Sequence, residues 1–381
     1  MIDAVSARLP AMLEDVTRII ECESPSDDHA AIARSAELVT QVLGARLAGA
    51  GLPAEPERLV IDGVTHLRWR LGGPTRVLLL GHHDTVWPHG SLATHPCAIR
   101  DGVLTGPGCF DMAIGLVQAV HACAVLAERE GADALAGVTI LVTGDEEIGS
   151  LTSRALLEDE ARDAAAVLVL EASGPGGALK TERKGTGMYT VTTHGRAAHA
   201  GLEPEAGINA GLELAHQLQA VAAFDGTGDG TTVVPTSGRI GSTSNTVPAQ
   251  ASFDIDVRAR SGAELDRIDA SIHALAPVLD GARVSISGGV NRRPLEHAQA
   301  RDLFARATRL AAAAGIASLD ECAVGGASDG NFTAALGVPT LDGLGGVGGG
   351  AHADSEHVEV AHVPHRTALL ALLVRDILGD A

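Results

Sequence analysis

The stretch Leu78-Leu79-Leu80-Gly81-His82-His83-Asp84 decides the fold of the chain. Its apolar run stops abruptly at a His-x-Asp, a pattern typical of a buried parallel strand that presents polar side chains at its carboxyl end. Because residues two apart in an extended chain share a face, His82 and Asp84 are expected to point one way and His83 the other. A single His-x-Asp at a strand end is more often structural than a metal site, so its meaning depends on the rest of the chain.

Two other apolar runs end in the same kind of residue. Val138-Thr139-Ile140-Leu141-Val142 leads to Asp145-Glu146-Glu147, and Ala166-Val167-Leu168-Val169-Leu170 leads to Glu171. The segment 112–130, upstream of both runs, repeats Ala, Leu and Val at helical spacing. Strands that alternate with helices in this way predict an α/β fold with a parallel or mixed sheet, whose strand ends collect at one edge.

The length and composition of the chain support two globular domains. Its 381 residues exceed what one hydrophobic core usually organises, and 45% of them are hydrophobic. Aromatic residues make up only 2%, against 46 glycines, so the cores are expected to pack from small aliphatic side chains. The formal net charge of −20 disfavours nucleic acids and anionic membranes as partners. A substrate that is itself anionic would need arginines close to its binding site.

The cysteines and the N-terminal sequence predict the cellular compartment of the protein. The five cysteines form no Cys-x-x-Cys pair, which is typical of free thiols in a reducing compartment. Residues 1–22 contain no continuous apolar segment of the kind found in signal peptides, and no run approaches membrane-spanning length. We therefore expect a cytoplasmic protein.

After Gly174-Pro175-Gly176-Gly177 the pattern of the sequence changes. Strand-like alternation occurs near 188–193, 232–240 and 249–258, and helical spacing at 207–223 and 262–279. Such alternation favours an antiparallel sheet with one face covered by helices. The sequence therefore predicts a main domain in two parts, 1–181 and 292–381, with an α+β domain inserted at 182–291.

Helical periodicity also occurs on both sides of the inserted domain. Helices are expected at 3–21, 28–50, 298–314, 328–336 and 362–378, with a short strand at 338–341. These elements complete the predicted main domain.

The residues at the strand ends, together with two others, form a set suited to divalent metal ions. The set is His82, Asp111, Glu147, Glu171 and His352. Two imidazoles and three carboxylates suffice for two adjacent ions if one carboxylate bridges them and each ion takes one histidine and one further carboxylate. Two such ions activate a shared water and polarise a carbonyl group. Glu146, next to Glu147, is placed to accept the proton of that water.

Six motifs in order along the chain resemble the signatures of the M20 metallopeptidase family. They are Gly81-His82-His83-Asp84-Thr85-Val86, Gly106-Pro107-Gly108 through Asp111, Asp145-Glu146-Glu147-Ile148-Gly149-Ser150, Glu171, Gly195-Arg196-Ala197-Ala198-His199-Ala200-Gly201 and Ala351-His352-Ala353-Asp354-Ser355-Glu356. Together they span most of the chain. The pattern is similar to the glutamate carboxypeptidase (carboxypeptidase G2-like) branch, with acetylornithine and succinyl-diaminopimelate deacylases as near relatives.

The resemblance implies roles for the residues at the strand ends. Zinc ligands are implied at His82, Asp111, Glu147, Glu171 and His352. Asp111 is the implied bridge between two Zn²⁺ ions, with Co²⁺ and Mn²⁺ as alternative metals. The resemblance further implies that Asp84 orients His82 and that Glu146 acts as the general base.

The resemblance also implies that the inserted domain is a ferredoxin-like lid that forms a homodimer. His199 is expected to reach the active site of the other subunit and to stabilise the oxyanion. Asn245, Arg258 and Arg293 match positions where relatives hold the substrate, and an arginine fork can bind a terminal carboxylate through two hydrogen bonds. For each arginine, a surface or interdomain ion pair is the alternative role.

The chain departs from the family pattern directly after the implied bridge. Relatives carry a lysine soon after the Asp-Met pair, whereas this chain reads Asp111-Met112-Ala113-Ile114-Gly115. The implied metal ligands are unaffected. The charge beside the bridge differs, which leaves the exact subfamily open.

These inferences predict a di-zinc amidohydrolase that acts on N-acyl amino acids or short peptides with a free C-terminal carboxylate. An acetylornithine or succinyl-diaminopimelate deacylase and a dipeptidase are the alternatives within enzymes. A metal-stabilised binding protein without turnover is the alternative outside enzymes. Glu146 argues against it, because a scaffold needs no extra carboxylate beside the ligands.

Overall fold

The computed structural model describes residues 1–379, which divide into two compact units. The main unit comprises Met1–Glu182, His297–Val324 and the residues from Ser328 onward, and the inserted unit comprises Arg183–Glu296 and Gly325–Ala327. Residues 292–296, which the sequence predicts in the main domain, thus belong to the inserted unit. Leu295 exchanges backbone hydrogen bonds with Arg183 at 2.9 and 3.1 Å, which ties the end of the inserted segment to its start.

Strands account for much of both units. In chain order they are β1 (Glu57–Ile61), β2 (Val64–Arg70), β3 (Val77–His82), β4 (Ala98–Arg100), β5 (Val103–Thr105), β6 (Val138–Thr143), β7 (Ala166–Val169), β8 (Leu179–Arg183), β9 (Gly185–His194), β10 (Ala198–His199), β11 (Thr232–Ile240), β12 (Thr246–Val247), β13 (Gln250–Ala259), β14 (Arg283–Arg292), β15 (Glu321–Val324), β16 (Thr340–Leu341), β17 (Gly348–Gly349) and β18 (His357–Glu359).

Helices flank these strands. In chain order the α-helices are α1 (Ile2–Ser6), α2 (Leu9–Ile20), α3 (His29–Gly49), α4 (Ser91–Thr94), α5 (Ile114–Glu130), α6 (Arg154–Ala161), α7 (Ala210–Ala222), α8 (Gly262–His273), α9 (His297–Ala311), α10 (Gly330–Ala335) and α11 (Val363–Leu378).

The six-stranded sheet of the main unit has the order β1-β2-β6-β3-β7-β16. Strands β6, β3, β7 and β16 run parallel to one another, whereas β1 pairs antiparallel with β2 and β2 with β6. Every residue of β3 and β6 is buried, as expected for strands covered on both faces. The α/β class predicted from the sequence is confirmed, and the sheet is of the mixed kind.

The carboxyl ends of β3, β6 and β7 lie side by side at one edge of this sheet. His82 ends β3 and pairs with Thr143 at the end of β6, and Leu80 of β3 pairs with Val169 at the end of β7. Residues 145–147 and 171 follow directly after these strands. The parallel register alone therefore brings three segments with acidic or imidazole side chains to one place.

Helix α5 is enclosed by the main unit. Its residues 114–127 are all buried and mostly apolar, as in helices that face protein on every side. Gly115 permits a close approach to the sheet, since a Cβ there would lie 2.1 Å from the Leu170 carbonyl oxygen. The stretch Cys109–Glu130 is long and apolar enough to cross a membrane, but its 18-residue apolar window is 94% buried inside the structure. That burial is the mark of a core helix.

Asp15 joins three helices of the main unit. It lies on α2 and is 1% exposed. Its two carboxylate oxygens accept hydrogen bonds of 2.8 Å from the Arg46 guanidinium on α3, and His121 Nε2 on α5 lies 2.8 Å from Oδ2. Burial alone would raise the pKa of Asp15, but its hydrogen bonds with His121 and Arg46 outweigh burial and hold the pKa below its ordinary value.

The four-stranded sheet of the inserted unit is antiparallel, with the order β11-β13-β9-β14. Tyr189 and Val191 of β9 are buried together with Leu214 of α7 and Ile268 of α8. Buried and less buried residues alternate along β9 and β13. This alternation is what an antiparallel sheet with one face covered by helices requires.

Two predicted helices differ from the observed ones. The segment 3–21 forms two helices, α1 and α2, because Pro10 lies in the first turn of α2 and a proline inside a continuous helix would remove a hydrogen bond. The segment 262–279 is helical only to His273. Pro277 follows shortly afterwards and disfavours helical conformation at the residue before it.

We expect Asp15→Asn to lower the free energy of unfolding of the main unit by about 1–3 kcal/mol, because it weakens the buried bonds to His121 and Arg46. Since the folded-state pKa of Asp15 is depressed, its contribution is fully present above the unfolded value of about 3.9 and is lost as the pH falls through the folded-state value. Urea unfolding of wild type and variant should therefore converge in acid. A difference that stayed constant down to about pH 2 would contradict this account.

Candidate metal centre

The five predicted metal ligands all lie in the main unit, and the structure brings them together. His82 ends β3, Asp111 lies in the turn before α5, Glu147 in the turn after β6, Glu171 just after β7, and His352 between β17 and β18. The parallel sheet collects the strand-end residues. His352 arrives through a second sheet, in which β18 pairs with β5 shortly before the Asp111 turn.

Asp111 lies between two imidazoles. Its Oδ1 is 3.2 Å from His82 Nε2, and its Oδ2 is 3.2 Å from His352 Nε2. A carboxylate that presents one oxygen to each of two histidines has the arrangement of a bridging ligand between two metal ions.

A further carboxylate lies beside the Nε2 atom of each imidazole. Glu171 Oε1 lies 3.6 Å from His82 Nε2, and Glu147 Oε2 lies 3.2 Å from His352 Nε2. The donor atoms therefore form two sets that share Asp111 and lie close together, since a Glu147 oxygen is also within 4.8 Å of donor atoms of His82 and Asp111. One set contains His82 and Glu171, and the other contains His352 and Glu147.

His352 has an unusual backbone conformation. Its φ of 64° lies in the left-handed region, which few residues other than glycine adopt. Gly350, two residues earlier, has a φ of 73°, and a Cβ there would lie 2.6 Å from the backbone of Ser355. A tight turn therefore sets the direction of the His352 imidazole, and backbone strain of this kind tends to occur at functional sites.

The charges of the cluster shift one another's pKa values. Hydrogen bonds with Asp111 and Glu147 raise the pKa of His352 to about 10. Burial by itself lowers the pKa of His82, but its bonds with the surrounding carboxylates outweigh burial and raise it well above the ordinary value. Burial raises the pKa of Glu147. Positive charge is thus favoured at both imidazoles, as expected where carboxylates outnumber them.

The donor set fits divalent cations of the zinc type. Imidazole nitrogen and carboxylate oxygen are both zinc donors, and a cation at each set would reduce the excess of negative charge. Glu147 Oε1 is buried and has no hydrogen-bond partner among the residues that the structure describes. Because a buried polar atom without a partner is costly, coordination of a cation would satisfy it.

Asp84 contacts both sides of the cluster. Its backbone carbonyl oxygen is 2.9 Å from His82 Nδ1, and its carboxylate Oδ1 is 3.5 Å from the same nitrogen. The carboxylate also accepts hydrogen bonds from the backbone N–H groups of Glu146 at 3.1 Å and Glu147 at 3.2 Å, and from the Ser26 hydroxyl at 2.7 Å. Asp84 therefore ties the end of β3 to the turn after β6.

Glu146 lies beside the cluster and is 7% exposed. One of its carboxylate oxygens is within 4.8 Å of donor atoms of His82 and Glu171. Its backbone is fixed by the hydrogen bond to Asp84. At that distance the carboxylate can serve either as a metal ligand or as a proton acceptor for a water held between the two donor sets.

His83 points away from the cluster, as the strand alternation predicts. Its Nδ1 lies 3.1 Å from the Ser35 hydroxyl, and its Nε2 lies 3.0 Å from the Thr65 carbonyl oxygen. Burial lowers the pKa of His83 to about 4, so the ring is neutral and structural.

Two of the remaining predicted site residues lie in the inserted unit, where His199 ends β10 and Asn245 precedes its partner strand β12. Both are exposed. The Ala200 N–H donates to the Asn245 carbonyl oxygen at 2.9 Å, which extends the contact between these two segments. His199 Nδ1 accepts the N–H of Gly201 at 3.1 Å, so the ring has a defined orientation.

The other two, Arg258 and Arg293, also lie in the inserted unit and make ion pairs there. Arg258 donates through Nε and Nη2 to the two carboxylate oxygens of Asp256, at 2.8 and 2.9 Å. Arg293 donates to Asp266 at 2.7 Å. These are ion pairs of the kind named above as the alternative role for each arginine.

A cation that sequence reasoning missed lies beside the cluster. Lys180 Nζ is 3.9 Å from Glu171 Oε2, and the lysine side chain is only 12% exposed. The signal for it in the sequence is the rarity of lysine, because the 28 Lys and Arg residues include two lysines and Lys180 is one of them. It supplies an ammonium group beside the carboxylate of Glu171.

Comparison with known proteins agrees with this geometry. The chain matches the model of the peptidase family M20/M25/M40 over residues 78–376. Carboxypeptidase G2 of Pseudomonas sp. (strain RS-16) is 28% identical over 385 residues, which cover 99% of this chain and 92% of the relative. Succinyl-diaminopimelate desuccinylase of Methylorubrum extorquens (strain PA1) is 28% identical over 268 residues, which cover 64% of this chain and 69% of the relative.

Solved structures show the same fold. Aminopeptidase PepT from Bacillus cereus ATCC 10987 superimposes with a TM-score of 0.74 at 20% identity, covering 97% of this chain and 98% of its own. The family match includes every residue of the cluster, from His82 to His352. A binding protein without turnover is therefore set aside. The chain belongs to the peptidase family M20/M25/M40 and is a metal-dependent hydrolase, as its motifs predict.

Proposed function

We propose that the protein hydrolyses the amide bond of N-acyl amino acids or short peptides that carry a free C-terminal carboxylate, in the manner of a glutamate carboxypeptidase. The observation that carries the proposal is Asp111, which presents one oxygen to His82 and the other to His352. The full-length match to carboxypeptidase G2 supports the choice of substrate class.

Two divalent cations, Zn²⁺ with Co²⁺ or Mn²⁺ as alternatives, are proposed as cofactors. His82, Glu171 and one oxygen of Asp111 would hold the first, and His352, Glu147 and the other oxygen of Asp111 the second. When bound, such a pair activates water near neutral pH and withdraws electron density from the scissile carbonyl.

Glu146 is the proposed general base. Its carboxylate accepts the proton of the attacking water and then donates it to the nitrogen of the leaving amine, as the carbon–nitrogen bond breaks. This role is supported by the burial of Glu146, by its carboxylate lying within 4.8 Å of donor atoms of His82 and Glu171, and by its backbone bond to Asp84. Asp84 is proposed to fix the orientation of His82 through its contacts with Nδ1.

The inserted unit is proposed to act as a lid that recognises the substrate. It is also proposed to join two chains into a homodimer. Arg258, Arg293 and Asn245 are the proposed contacts to the substrate, with an arginine fork binding its terminal carboxylate. Arg258 donates both of these guanidinium hydrogen bonds to the Asp256 carboxylate. Binding the substrate would therefore require Arg258 to release Asp256. His199 of one subunit is proposed to stabilise the oxyanion in the other.

A deacylase of the succinyl-diaminopimelate type is the second candidate, because a desuccinylase is among the relatives. A cytoplasmic location is proposed from the five cysteines, all of which are free thiols in the structure. Neither point alters the chemistry proposed for the metal centre.

Metal content tests the two donor sets. We expect two metal equivalents per chain in the wild type, one in His352→Ala, and none in Asp111→Ala, because both sets share Asp111. Elemental analysis after dialysis measures this. His357→Ala is the matched control, since its imidazole lies on the same segment and bonds the Ser355 carbonyl oxygen. Two equivalents retained by Asp111→Ala would contradict the bridge.

Glu146→Gln tests the general base. We expect the variant to keep its metal content and to lose at least about 100-fold in kcat, since the amide cannot accept the proton. Glu158→Gln, which changes a carboxylate paired with Arg154 on α6, is the control and should keep full activity. Wild-type turnover by Glu146→Gln would remove this residue from the mechanism.

A substrate panel tests the reaction. N-acyl glutamates should be cleaved faster than N-acetylornithine, N-succinyl-diaminopimelate or dipeptides with a free amine. Amidation of the terminal carboxylate should lower kcat/KM by about 10–100-fold or more, because a charged hydrogen-bonded pair is lost. Equal cleavage of acid and amide would refute the carboxypeptidase proposal, and a preference for the succinyl substrate would favour the second candidate.

A further inference from the structure

Glu356 is a buried carboxylate to which the proposed mechanism gives no role. It lies four residues after His352 and is 0% exposed. Its Oε1 accepts hydrogen bonds from the backbone N–H groups of Phe110 and Asp111, both at 3.0 Å. Its Oε2 accepts the backbone N–H of Gly108 at 3.0 Å and the indole N–H of Trp87 at 2.7 Å.

All four partners of Glu356 are donors, and each oxygen accepts two of them. Burial raises the pKa of Glu356, and the four hydrogen bonds oppose that rise. Inside the protein these bonds have no water to compete with. Glu356 is therefore a strong local restraint on the backbone from Gly108 to Asp111.

This restraint joins the two halves of the metal centre. Glu356 belongs to the segment of His352, while three of its donors belong to the loop of Asp111. The Glu356 N–H donates to the Ala353 carbonyl oxygen at 2.8 Å, which keeps the carboxylate in register with the His352 turn. These hydrogen bonds connect the loop of Asp111 to the segment of His352.

Two further contacts hold the same loop. Gly108 has a φ of 68°, and a Cβ there would lie 2.7 Å from Thr85 Cγ2, so the loop passes close to the strand end. Trp87 stacks on His95 with ring centroids 5.2 Å apart, and His95 Nε2 accepts the N–H of Gly106 at 3.1 Å. Trp87 therefore reaches the loop from a second side.

We propose that Glu356 is the positioning residue of the bridging carboxylate: it fixes Asp111 against His352 so that both donor sets exist before any metal binds. This inference rests on the proposed metal centre, in which Asp111 serves both cations. It differs from that proposal in assigning the geometry of the bridge to a carboxylate that contacts the backbone N–H of Asp111 and not its carboxylate.

The first experiment uses the metal-free wild-type protein. Amide hydrogen exchange should show the N–H groups of Gly108, Phe110 and Asp111 protected at least about 100-fold relative to unstructured peptide, because Glu356 holds them without help from a cation. Exchange within about tenfold of unstructured peptide in the metal-free protein would overturn the inference. This measurement needs no variant and therefore stands whether or not substitutions at 356 fold.

The second experiment compares Glu356→Gln with the wild type. The amide offers one acceptor oxygen in place of two, so two of the four donors lose their partner. We expect metal affinity to fall by about 10–100-fold, as for other residues that orient ligands, and the visible spectrum of the Co²⁺-loaded protein to change. Protection of Gly108, Phe110 and Asp111 should fall in the same variant.

Asp15→Asn is the matched control, since it also removes a buried carboxylate from the main unit and lowers stability. Asp15→Asn should leave metal affinity and the Co²⁺ spectrum at wild-type values. If a general loss of stability caused the changes in Glu356→Gln, Asp15→Asn would show them as well. Unchanged affinity and spectrum in a folded Glu356→Gln would overturn this inference alone. A wild type that bound no metal would instead refute the proposed function.

Discussion

Three carboxylates and two imidazoles lie within a few ångströms of one another at the carboxyl edge of a parallel sheet, and holding that charge in place constrains the structure around it. Buried carboxylates repel one another unless cations or protons offset them. The main unit meets this constraint by alternating carboxylates with imidazoles. Asp111 lies between His82 and His352, Glu171 lies beside His82, and Glu147 lies beside His352. Every segment that reaches the centre is then fixed by backbone hydrogen bonds.

The strand ends could be predicted because their signal is local. A run such as Leu78–Leu80 has no polar position, which marks a strand buried on both faces, and the first polar residue after it marks the exposed edge. Parallel register then places His82, Glu147 and Glu171 together without further information. The inserted unit was recognisable for a related reason, since the period-2 burial along its strands is visible as alternation in the sequence.

The residues that support the ligands could not be found in this way. Glu356 contacts residues 246 and 248 positions away, so no pattern along the chain connects them. Asp84 is an exception, because the alternation after β3 predicts that it lies on the side of His82, and its carboxylate also accepts the backbone N–H groups of Glu146 and Glu147. The helix break before Pro10 has a local signal, because a proline interrupts a continuous helix even where apolar residues keep helical spacing, as they do over 3–21.

The left-handed backbone of His352 limits which residues can replace this histidine in the second donor set. Among residues other than glycine, asparagine, aspartate and histidine adopt this conformation most readily, so a cysteine or a glutamate there would strain the chain. Aspartate is the one replacement that suits the turn and still offers a charged donor, and it exchanges nitrogen for a harder oxygen. Hard donors suit Mg²⁺ and Mn²⁺ better than Zn²⁺. The φ angle of His352 thereby limits which cations the second donor set could bind after a substitution at this position.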